Sequence, residues 1–269
     1  MSNFRFFRPQ SLAELLEYKS REGKKARILD GGSNVLVYIK EGAIEEGTLV
    51  DVHSLGALKG IACRDGWIEI GAGELVADVL TSPVIGEKAP FLAQTLRKFA
   101  NPLVRNMATL AGNIADSSPI GDAIPPLIVL GAEVRVASAR SAGGERAIPL
   151  QQFFTGPGAN VLAADEVIVK IRFPVPERGR GGHVKLGLRK GTSCTVASVA
   201  VWLVADKGRV QDIRIAFGGV APTPRRLPNT EAGFRGQTLD DEAITRLAGA
   251  AAGEIAPISD VRGSAEYRR

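Results

Sequence analysis

The amino-acid sequence predicts an α+β protein that changes character late in the chain. In the first part, short stretches with strand and helix character alternate. In the last part, 184–188, 196–205 and 210–217 indicate three successive strands, and 240–253 indicates an alanine-rich helix. The Gly- and Arg-rich stretch 178–182 predicts a flexible linker and a domain boundary. Alternating elements followed by a run of strands and a helix are typical of the α+β class.

The individual elements follow from apolar patterns and from cap and turn residues. Ser11 is a typical N-cap for a helix over 12–19, whose leucines share one face. Pro83 is expected to break the helix that begins at 77–80, and 206–208 favours a hairpin turn. Further strands are predicted at 25–29, 48–52, 67–70, 133–137 and 166–173, and further helices at 91–99, 124–130 and 149–154.

Composition limits the function classes. A chain of 269 residues with 45% hydrophobic and 23% charged residues is ordinary globular material. The net charge of +5 admits a nucleic acid, an anionic ligand or an acidic partner, but an aromatic content of 6% disfavours base-stacking platforms. Cys63 and Cys194 form no CxxC pair, so we expect no zinc or iron–sulfur site in this chain. Both cysteines are expected to be small buried hydrophobic residues, and their low number indicates a reducing compartment.

The N-terminus and the apolar runs indicate a cytoplasmic protein. Residues 1–10 lack the apolar core of a signal peptide. The longest apolar run, 196–205, is too short to cross a bilayer, so we expect no membrane span.

A stretch of small and polar residues at 109–122 is the first candidate site. Ala111 and Gly112 remove side-chain bulk, so a ligand can lie against the backbone. Thr109 offers a hydroxyl, and Asn113 offers an amide that both donates and accepts hydrogen bonds. Such a segment suits a phosphate or diphosphate, although an ordinary turn between a strand and a helix explains it equally well.

A second stretch of the same kind lies at 30–34, directly after the strand predicted at 25–29. Its residues, Asp-Gly-Gly-Ser-Asn, combine a glycine pair with a hydroxyl and an amide, which again suits an anion, with a plain turn as the alternative. The pattern is not GxGxxG, so a nicotinamide-type dinucleotide fold is not indicated.

In this order the stretches resemble the FAD-binding medium subunit of the molybdenum hydroxylases, a family that includes xanthine dehydrogenase, carbon monoxide dehydrogenase and 4-hydroxybenzoyl-CoA reductase. Residues 29–36 are similar to the family's first FAD loop, usually Ala-Gly-Gly-Thr-Asp-Leu at its heart. Residues 109–113 are similar to its second, usually Thr-Ile-Gly-Gly-Asn. Further matches at 118–122, 216–224 and 260–268 extend the resemblance over nearly the whole chain.

The resemblance implies a more specific fold. It consists of a two-subdomain α/β FAD-binding domain of the PCMH/VAO-like type, followed by a small C-terminal domain with a three-stranded antiparallel sheet and helices. The implied boundaries are 1–55 for the N-terminal FAD-binding subdomain, 56–176 for the second subdomain and 177–269 for the C-terminal domain.

The resemblance also implies an FAD in the cleft between the first two subdomains. Neither loop contains a histidine, so the FAD is expected to be non-covalent. Asp122 would bind its ribitol or phosphate end, and Lys185 would favour the reduced ring by Coulomb attraction. The implied cofactor-binding residues are Leu29, Asp30, Gly31, Gly32, Ser33, Asn34, Val35, Leu36, Phe99, Thr109, Leu110, Ala111, Gly112, Asn113, Asp122, Ile168 and Lys185.

Two residues depart from the family pattern. Asp30 stands where the first loop usually has alanine, and Ala111 replaces the first glycine of the second. A methyl group at 111 is tolerable only if the φ angle of that residue stays negative.

The function implied by the resemblance is electron transfer. The FAD subunit would pass electrons between [2Fe–2S] clusters of a small partner subunit and an external acceptor such as NAD, while a large subunit carries the molybdenum cofactor. The assembly would be a dimer of heterotrimers that binds no nucleic acid. No catalytic residue and no metal ligand is expected in this chain, because the flavin carries the chemistry.

Two other functions stay open on the residues alone. One is a stand-alone flavin-dependent oxidoreductase, although no Tyr, His or acidic cluster stands out as a base. The other is a non-catalytic module that binds an anion or nucleic acid, as the basic charge allows.

Several residues have simpler interpretations. His53 and His183 are expected to be surface or structural residues without a titratable partner in their loops. The basic stretch 178–190 is either a solvated linker or a face toward a partner. Asp122 is also placed to cap the following helix, and Thr195 is expected to be an ordinary strand residue.

Overall fold

The computed structural model describes residues 3–140, 144–176, 178–189 and 192–269. Residues 1–2 and 177, where two of the predicted domains begin, and Lys190, which ends the basic stretch, lie outside the described residues. The strands are β1 (Asn3–Phe7), β2 (Ala26–Leu29), β3 (Glu46–Asp51), β4 (Ile61–Arg64), β5 (Trp67–Gly71), β6 (Glu133–Ala137), β7 (Arg146–Pro149), β8 (Phe154–Gly156), β9 (Ala159–Asn160), β10 (Val167–Pro174), β11 (Arg180–Gly187), β12 (Thr195–Asp206), β13 (Arg209–Gly218) and β14 (Arg225–Arg226).

Helices fill most of the intervals between these strands. They are α1 (Leu12–Glu22), α2 (Val35–Lys40), α3 (Val76–Thr81), α4 (Pro83–Lys88), α5 (Pro90–Leu96), α6 (Pro102–Arg105), α7 (Leu110–Ala115), α8 (Ile124–Val129), α9 (Pro228–Phe234), α10 (Asp241–Glu254) and α11 (Ala265–Arg268). No helix in these ranges is both long and apolar enough to cross a membrane.

The first sheet is parallel, with the order β1-β3-β2. The hydroxyl of Ser11 accepts a hydrogen bond from the Glu14 N–H, so the predicted cap of α1 is confirmed. Leu15 of α1 is fully buried, and Tyr18 stacks on Phe7 with ring centroids 4.1 Å apart. The sequence analysis did not predict β1, whose side chains are mostly exposed and show no clear alternation.

The second sheet is antiparallel, with the order β4-β5-β10-β6-β7. Its central strand is β10, in which Ile171 and Phe173 are fully buried. Pro83 does interrupt the predicted helix, but it also begins the next one, because proline fits the first helical position, where no N–H is needed.

The C-terminal sheet has the order β11-β12-β13-β14. Its three long antiparallel strands confirm the prediction, and the two-residue β14 extends the edge. Lys207 and Gly208 have φ angles of 47° and 79° in the predicted hairpin turn between β12 and β13, as a type I′ turn requires. Residues of β13 and α10, such as Ile215 and Ala251, form a second hydrophobic core.

The prediction of a flexible linker at 178–182 is wrong for its larger part, because β11 begins at Arg180 and pairs with β12. The glycines serve close packing there. A Cβ atom at Gly179 would lie 2.7 Å from the Trp202 ring, and one at Gly181 would lie 2.3 Å from the Phe91 ring. Glycine therefore marks two aromatic contacts between the C-terminal sheet and the preceding part of the chain.

The two cysteines were expected to be buried, and this prediction is wrong. Cys63 lies on β4, an edge strand of the second sheet, and Cys194 lies just before β12, and both are exposed. Free cysteine is usually buried, so residue type alone does not predict this exposure, which depends on the position of each residue at a sheet edge or before a strand.

Candidate functional site

A cleft opens between the first and second sheets and brings the two predicted stretches together. Its outer part is a cavity of about 600 Å³, and its inner part is a smaller, more apolar cavity of about 200 Å³. Asp30, Thr109 and Gly112 line both parts, so the two cavities are continuous. We call this space the FAD cleft, after the cofactor that the sequence resemblance implies.

The first loop, residues 30–34, is fixed against the second stretch by its glycines. A Cβ atom at Gly31 would lie 1.5 Å from the carbonyl oxygen of Met107, so only glycine fits this contact. Gly32 has a φ angle of 66°, a left-handed conformation that favours glycine. The loop therefore lies directly beside the backbone that leads into residues 109–113.

The second stretch, residues 109–113, is the beginning of helix α7 and not a loop. The hydroxyl of Thr109 caps the helix by accepting a hydrogen bond of 2.9 Å from the Gly112 N–H. Ala111 is helical and is not among the residues with positive φ, so the methyl group is accommodated. Leu110 is buried in the core, and Asn113 Oδ1 accepts from the Ala123 N–H at 3.4 Å.

Tyr38 links the two sides of the FAD cleft. It lies on α2, and its hydroxyl donates a hydrogen bond of 2.8 Å to Asp116 Oδ1, 78 residues away. Burial, together with this hydrogen bond, raises the pKa of Tyr38 to about 12. The hydroxyl therefore stays protonated and acts as a fixed donor at neutral pH.

The outer rim of the cleft on the β2 side is basic. Lys19, Lys24 and Arg27 line it. Lys19 Nζ donates to the carbonyl oxygens of Gly23 at 2.9 Å and Ala26 at 2.7 Å. Burial, reinforced by Arg27, lowers the pKa of Lys19 to about 8.

The rear wall of the cleft carries a carboxylate that is already paired. Glu166 is 9% exposed, and Arg146 donates to it twice, at 2.5 and 2.7 Å. This hydrogen bonding from Arg146 lowers the pKa of Glu166, so the carboxylate stays ionised. Glu166 therefore fixes the wall and is not a free base.

Asp30 of the first loop is paired with a histidine, which corrects the expectation that His53 lacks a titratable partner. Nδ1 of His53 lies 2.8 Å from Asp30 Oδ1. The two residues are 23 positions apart, so only the return of the chain through β3 brings them together. The other carboxylate oxygen of Asp30 is buried and has no hydrogen-bond partner among the described residues.

The predicted site residue Asp122 lies outside the FAD cleft, and its prediction as a helix cap is wrong. Its carboxylate accepts from Lys185 Nζ at 2.5 Å, from Thr195 Oγ1 at 2.6 Å and from the Ala100 N–H at 3.4 Å. Thr195 is therefore not an ordinary strand residue, because its hydroxyl joins β12 to the segment that precedes α8. Phe99, next to Ala100, is buried.

Lys185 lines a separate basic cleft of about 610 Å³. Arg97, Lys98, Arg105 and Arg189 line it too, and Asn101 and Pro102 of the α6 segment form its other side. Nearby, burial lowers the pKa of His183 to about 4, so this buried histidine is neutral and structural, as expected from the sequence.

The predicted residues therefore fall into three groups. Those that line the FAD cleft are Asp30, Gly31, Gly32, Ser33, Asn34, Val35, Thr109, Ala111, Gly112 and Ile168. Those that support or flank it are Leu29, which packs at Gly32, half-exposed Leu36 and buried Leu110. Phe99, Asn113, Asp122 and Lys185 do not line either cavity of the cleft.

Sequence reasoning missed several residues that line the FAD cleft. They are Lys19, Tyr38, Asp116, Asn160, Leu162 and Glu166. Asp116 lies inside the stretch already singled out, Asn160 follows the loop 156–158, and Glu166 belongs to a pair, 165–166, that is similar to the end of the family's flavin domain, but none of these signals indicated a place in the cleft. Their positions depend on long-range packing, such as the hydrogen bond from Asn160 Nδ2 to Ser117 Oγ at 2.9 Å.

Comparison with known proteins decides the family. Residues 2–176 match the family of FAD binding domains in molybdopterin dehydrogenases, and residues 183–269 match the CO dehydrogenase flavoprotein C-terminal domain. The chain belongs to the FAD-binding medium subunits of the molybdenum hydroxylases. It is an oxidoreductase subunit, and its α+β fold is the one that the resemblance implied.

Individual relatives cover almost the whole chain. The carbon monoxide dehydrogenase medium chain of Hydrogenophaga pseudoflava is 30% identical over 265 residues, which are 98% of this chain and 91% of the relative. The nicotine 6-hydroxylase medium subunit of Paenarthrobacter nicotinovorans is 30% identical over the same shares. The structure of carbon monoxide dehydrogenase from Hydrogenophaga pseudoflava, in a form lacking the Mo-pyranopterin moiety, superimposes with a TM-score of 0.94, at 31% identity, over 99% of this chain and 92% of that one.

FAD is the cofactor of this family, and the cleft of this chain fits it. Glycines 31, 32 and 112 leave backbone free of side-chain bulk, as a diphosphate requires. The basic rim of Lys19, Lys24 and Arg27 suits its negative charge.

Proposed function

We propose that this chain is the electron-transfer subunit of its complex, which takes electrons from [2Fe–2S] clusters of a small partner subunit and delivers them to an external acceptor such as NAD. When bound, FAD supplies the exchange between one-electron and two-electron carriers. One observation carries the proposal. The cleft is built to hold a cofactor, but its lining carboxylates at 30, 116 and 166 are each held by a protein donor.

A stand-alone flavin oxidoreductase is supported less well. Such an enzyme needs a base that can reach the substrate, and the candidate groups of this cleft are already paired. Tyr38, with its raised pKa, stays protonated at neutral pH. A nucleic-acid module is disfavoured because the basic groups lie at the rims of clefts, and Tyr38, an aromatic residue that lines the FAD cleft, is held by its hydrogen bond to Asp116.

The residues of the chain have distinct roles in this proposal. The glycines of both stretches would admit the diphosphate, and Lys19 would offset its charge. Asp122 accepts hydrogen bonds from Lys185 of β11 and Thr195 of β12, so it connects these two strands to the segment between α7 and α8. Because Lys185 is neutralised by Asp122, we expect its attraction for a reduced flavin ring to be weaker than a free lysine would provide.

The partner face is proposed from exposed apolar side chains around the basic cleft. Val184, Leu186 and Leu188 lie on the face of the edge strand β11 and its end that is opposite to Lys185, with exposed fractions of 63, 39 and 69%. Leu103 of α6, 77% exposed, follows Pro102, which lines the basic cleft. Exposed edge strands usually carry charged side chains, so apolar ones on β11 are unusual. Obligate interfaces are more apolar than the remaining surface. We therefore assign this face to the iron–sulfur subunit.

The experiment is co-expression with the small and large subunits, followed by gel filtration. We expect a stable complex, a dimer of heterotrimers that also contains the molybdopterin-binding subunit. Leu188→Asp should release the small subunit, while Val261→Asp, at a fully exposed position outside this face, should not. If Leu188→Asp leaves the complex intact, the assigned face is wrong.

The isolated chain gives a second test of the same function. It should be reduced by dithionite yet stay inert toward aldehydes and hydroxylatable heterocycles. Acid precipitation should release all of its flavin as FAD, because the bond is proposed to be non-covalent. Turnover of such a substrate by the chain alone would favour the stand-alone enzyme. The cytoplasmic location and the domain boundaries at 55 and 176 stay predictions.

A further inference from the structure

Helix α2 is an unusual surface element beside the FAD cleft. Five of its six residues are aliphatic or aromatic, yet none of the six is buried. Leu36 and Val37 are 50 and 45% exposed, whereas Val35 and Tyr38, one helical turn apart, line the outer cavity of the cleft. A helix that is apolar in all directions is normally buried. Packing against a core therefore contributes little to holding α2 in place.

The segment that contains α2 is anchored at both of its ends. On one side, a Cβ atom at Gly31 would overlap a backbone carbonyl oxygen, so the loop lies tightly against its neighbour there. On the other side, Ile44 is buried. Just inside these anchors, Gly32 and Gly42 have φ angles of 66° and 74°, and glycine gives the backbone its widest freedom. We call residues 33–41, between these two glycines, the α2 flap.

One hydrogen bond joins the α2 flap to the opposite wall of the cleft. The Tyr38 hydroxyl donates to Asp116 Oδ1 at 2.8 Å, and Asp116 directly follows α7. Both residues line the outer cavity, and neither lines the inner one. The bond therefore spans the outer part of the cleft, through which a ligand enters the inner cavity.

We propose that Tyr38 and Asp116 form a latch that controls how fast FAD enters and leaves the cleft. With the hydrogen bond made, the α2 flap closes the outer cavity, and with the bond broken, the flap turns about its two glycines and opens it. Elements that open and close over a ligand come from the parts of a fold that bury little apolar surface. The inference rests on FAD binding in this cleft, but it assigns no contact with FAD to either residue.

A latch has a kinetic signature that a contact with the ligand lacks. Because Tyr38 and Asp116 bind each other and not FAD, the latch stabilises the closed cleft both with and without the cofactor. Its loss raises the association and dissociation rate constants by the same factor, so the dissociation constant is nearly unchanged. The loss of a direct contact with FAD would raise the dissociation rate constant alone, and the dissociation constant with it.

The test measures both rate constants on the isolated chain. Stopped-flow mixing of FAD with the FAD-free chain gives association through flavin fluorescence, and capture of released FAD by an excess of another apoflavoprotein gives dissociation. In Tyr38→Phe both rate constants should rise about two- to tenfold, as expected for one hydrogen bond, with the dissociation constant within about twofold.

Variants of the acceptor show whether the bond itself is responsible. Asp116→Ala should reproduce the effect of Tyr38→Phe, and the double variant should show no more than either single one, because both remove the same bond. Asp116→Asn keeps an acceptor oxygen and should restore most of the wild-type kinetics.

Tyr18→Phe is the matched control for the loss of a phenol hydroxyl. Tyr18 lies on α1, its hydroxyl donates to Thr48 Oγ1 at 3.1 Å, and it lines neither cavity of the cleft. The control should lower the melting temperature as Tyr38→Phe does, and it should leave both rate constants unchanged.

Two results would overturn the latch. Unchanged rate constants in Tyr38→Phe, with only a lower melting temperature, would make the hydrogen bond a structural one and leave α2 as an apolar surface for a partner. A rise in the dissociation rate constant alone would make Tyr38 a ligand of FAD. A wild-type chain that takes up no FAD would overturn the cofactor site itself, and the latch with it.

Discussion

Residues 30–34 form an irregular loop, whereas residues 109–113 form the capped start of a helix, although both stretches carry glycine next to small polar residues. In the loop, Gly31 is required by a backbone contact with Met107, and Gly32 by its positive φ. In the helix, Gly112 lines the cleft and has neither a backbone clash nor a positive φ, and a Cβ atom there would meet only the Thr109 hydroxyl, at 3.0 Å. All three glycines line the cleft, but the fold itself requires those of the loop, whereas it does not require Gly112.

The largest expected effect is on the fold. Gly31→Ala places a methyl group where the Met107 carbonyl lies, and backbone atoms must move to admit it. We expect the free energy of unfolding to fall by about 4 kcal/mol or more, the range of exceptional substitutions. Chemical denaturation followed by circular dichroism measures it. A Gly31→Ala chain of normal stability would show that the two stretches do not lie in contact.

The second effect is on FAD and spares the fold. Gly112→Val places a branched side chain in the cleft, and we expect FAD binding to be lost. Gly112 is helical and has no positive φ, so the added side chain alone, and no backbone strain, causes the effect. Circular dichroism and flavin content, measured together, test the prediction. The control is Gly249→Val on α10, where the site is open, and full flavin content in a folded Gly112→Val chain would contradict it.

A smaller effect concerns pH. The pKa of Lys19 is about 8 in the fold, against 10.5 for an ordinary lysine. The unfolded chain therefore binds more protons between these two pH values, and the contribution of Lys19 to stability rises with pH across that window. A bound diphosphate favours the protonated amine. FAD affinity should therefore decline as the pH rises through about 8.

Lys19→Met isolates this contribution. We expect FAD to bind about tenfold more weakly to the variant at pH 7, with the decline near pH 8 removed. FAD dissociation constants are measured between about pH 6 and about pH 10, on both sides of the pKa of about 8. An unchanged pH profile in Lys19→Met would mean that the diphosphate lies away from the basic rim.

The smallest expected effect is at the bridge across the cleft. Tyr38→Phe removes the hydrogen bond to Asp116, and we expect a loss of about 0.5–1.5 kcal/mol in the free energy of unfolding. FAD should bind slightly more weakly, because α2 is then held less firmly over the cleft. Denaturation and FAD titration measure the two effects. A large loss of FAD with unchanged stability would make Tyr38 a direct ligand.

The sequence predicted most elements because local signals decide them. Ser11 caps α1, Lys207 and Gly208 form the hairpin turn, and β10 alternates buried apolar residues with half-buried ones from Val169 onward. Prediction from the sequence failed for elements whose structure depends on contacts with distant parts of the chain. The glycines at 179 and 181 look like a linker but pack on aromatic rings, and β1 shows no pattern because only its pairing with β3 defines it.

The same division applies to the candidate site. The two glycine-containing stretches are recognisable from their residue types, so they were predicted from the sequence as parts of one site. The pairs Asp30–His53 and Tyr38–Asp116 were not, because each joins segments that are distant in the chain. Family resemblance added Asp122 and Lys185, which contact each other beside the basic cleft, and their role in binding FAD stays a prediction.

Amide hydrogen exchange with and without FAD tests the central claim most directly, namely that both stretches hold one cofactor in the cleft between the first and second sheets. The account predicts that FAD slows exchange in 30–34 and in 109–113 together, while α10 (Asp241–Glu254), remote from the cleft lining, is unchanged. Protection of only one stretch, or protection confined to the basic cleft around Lys185, would contradict it.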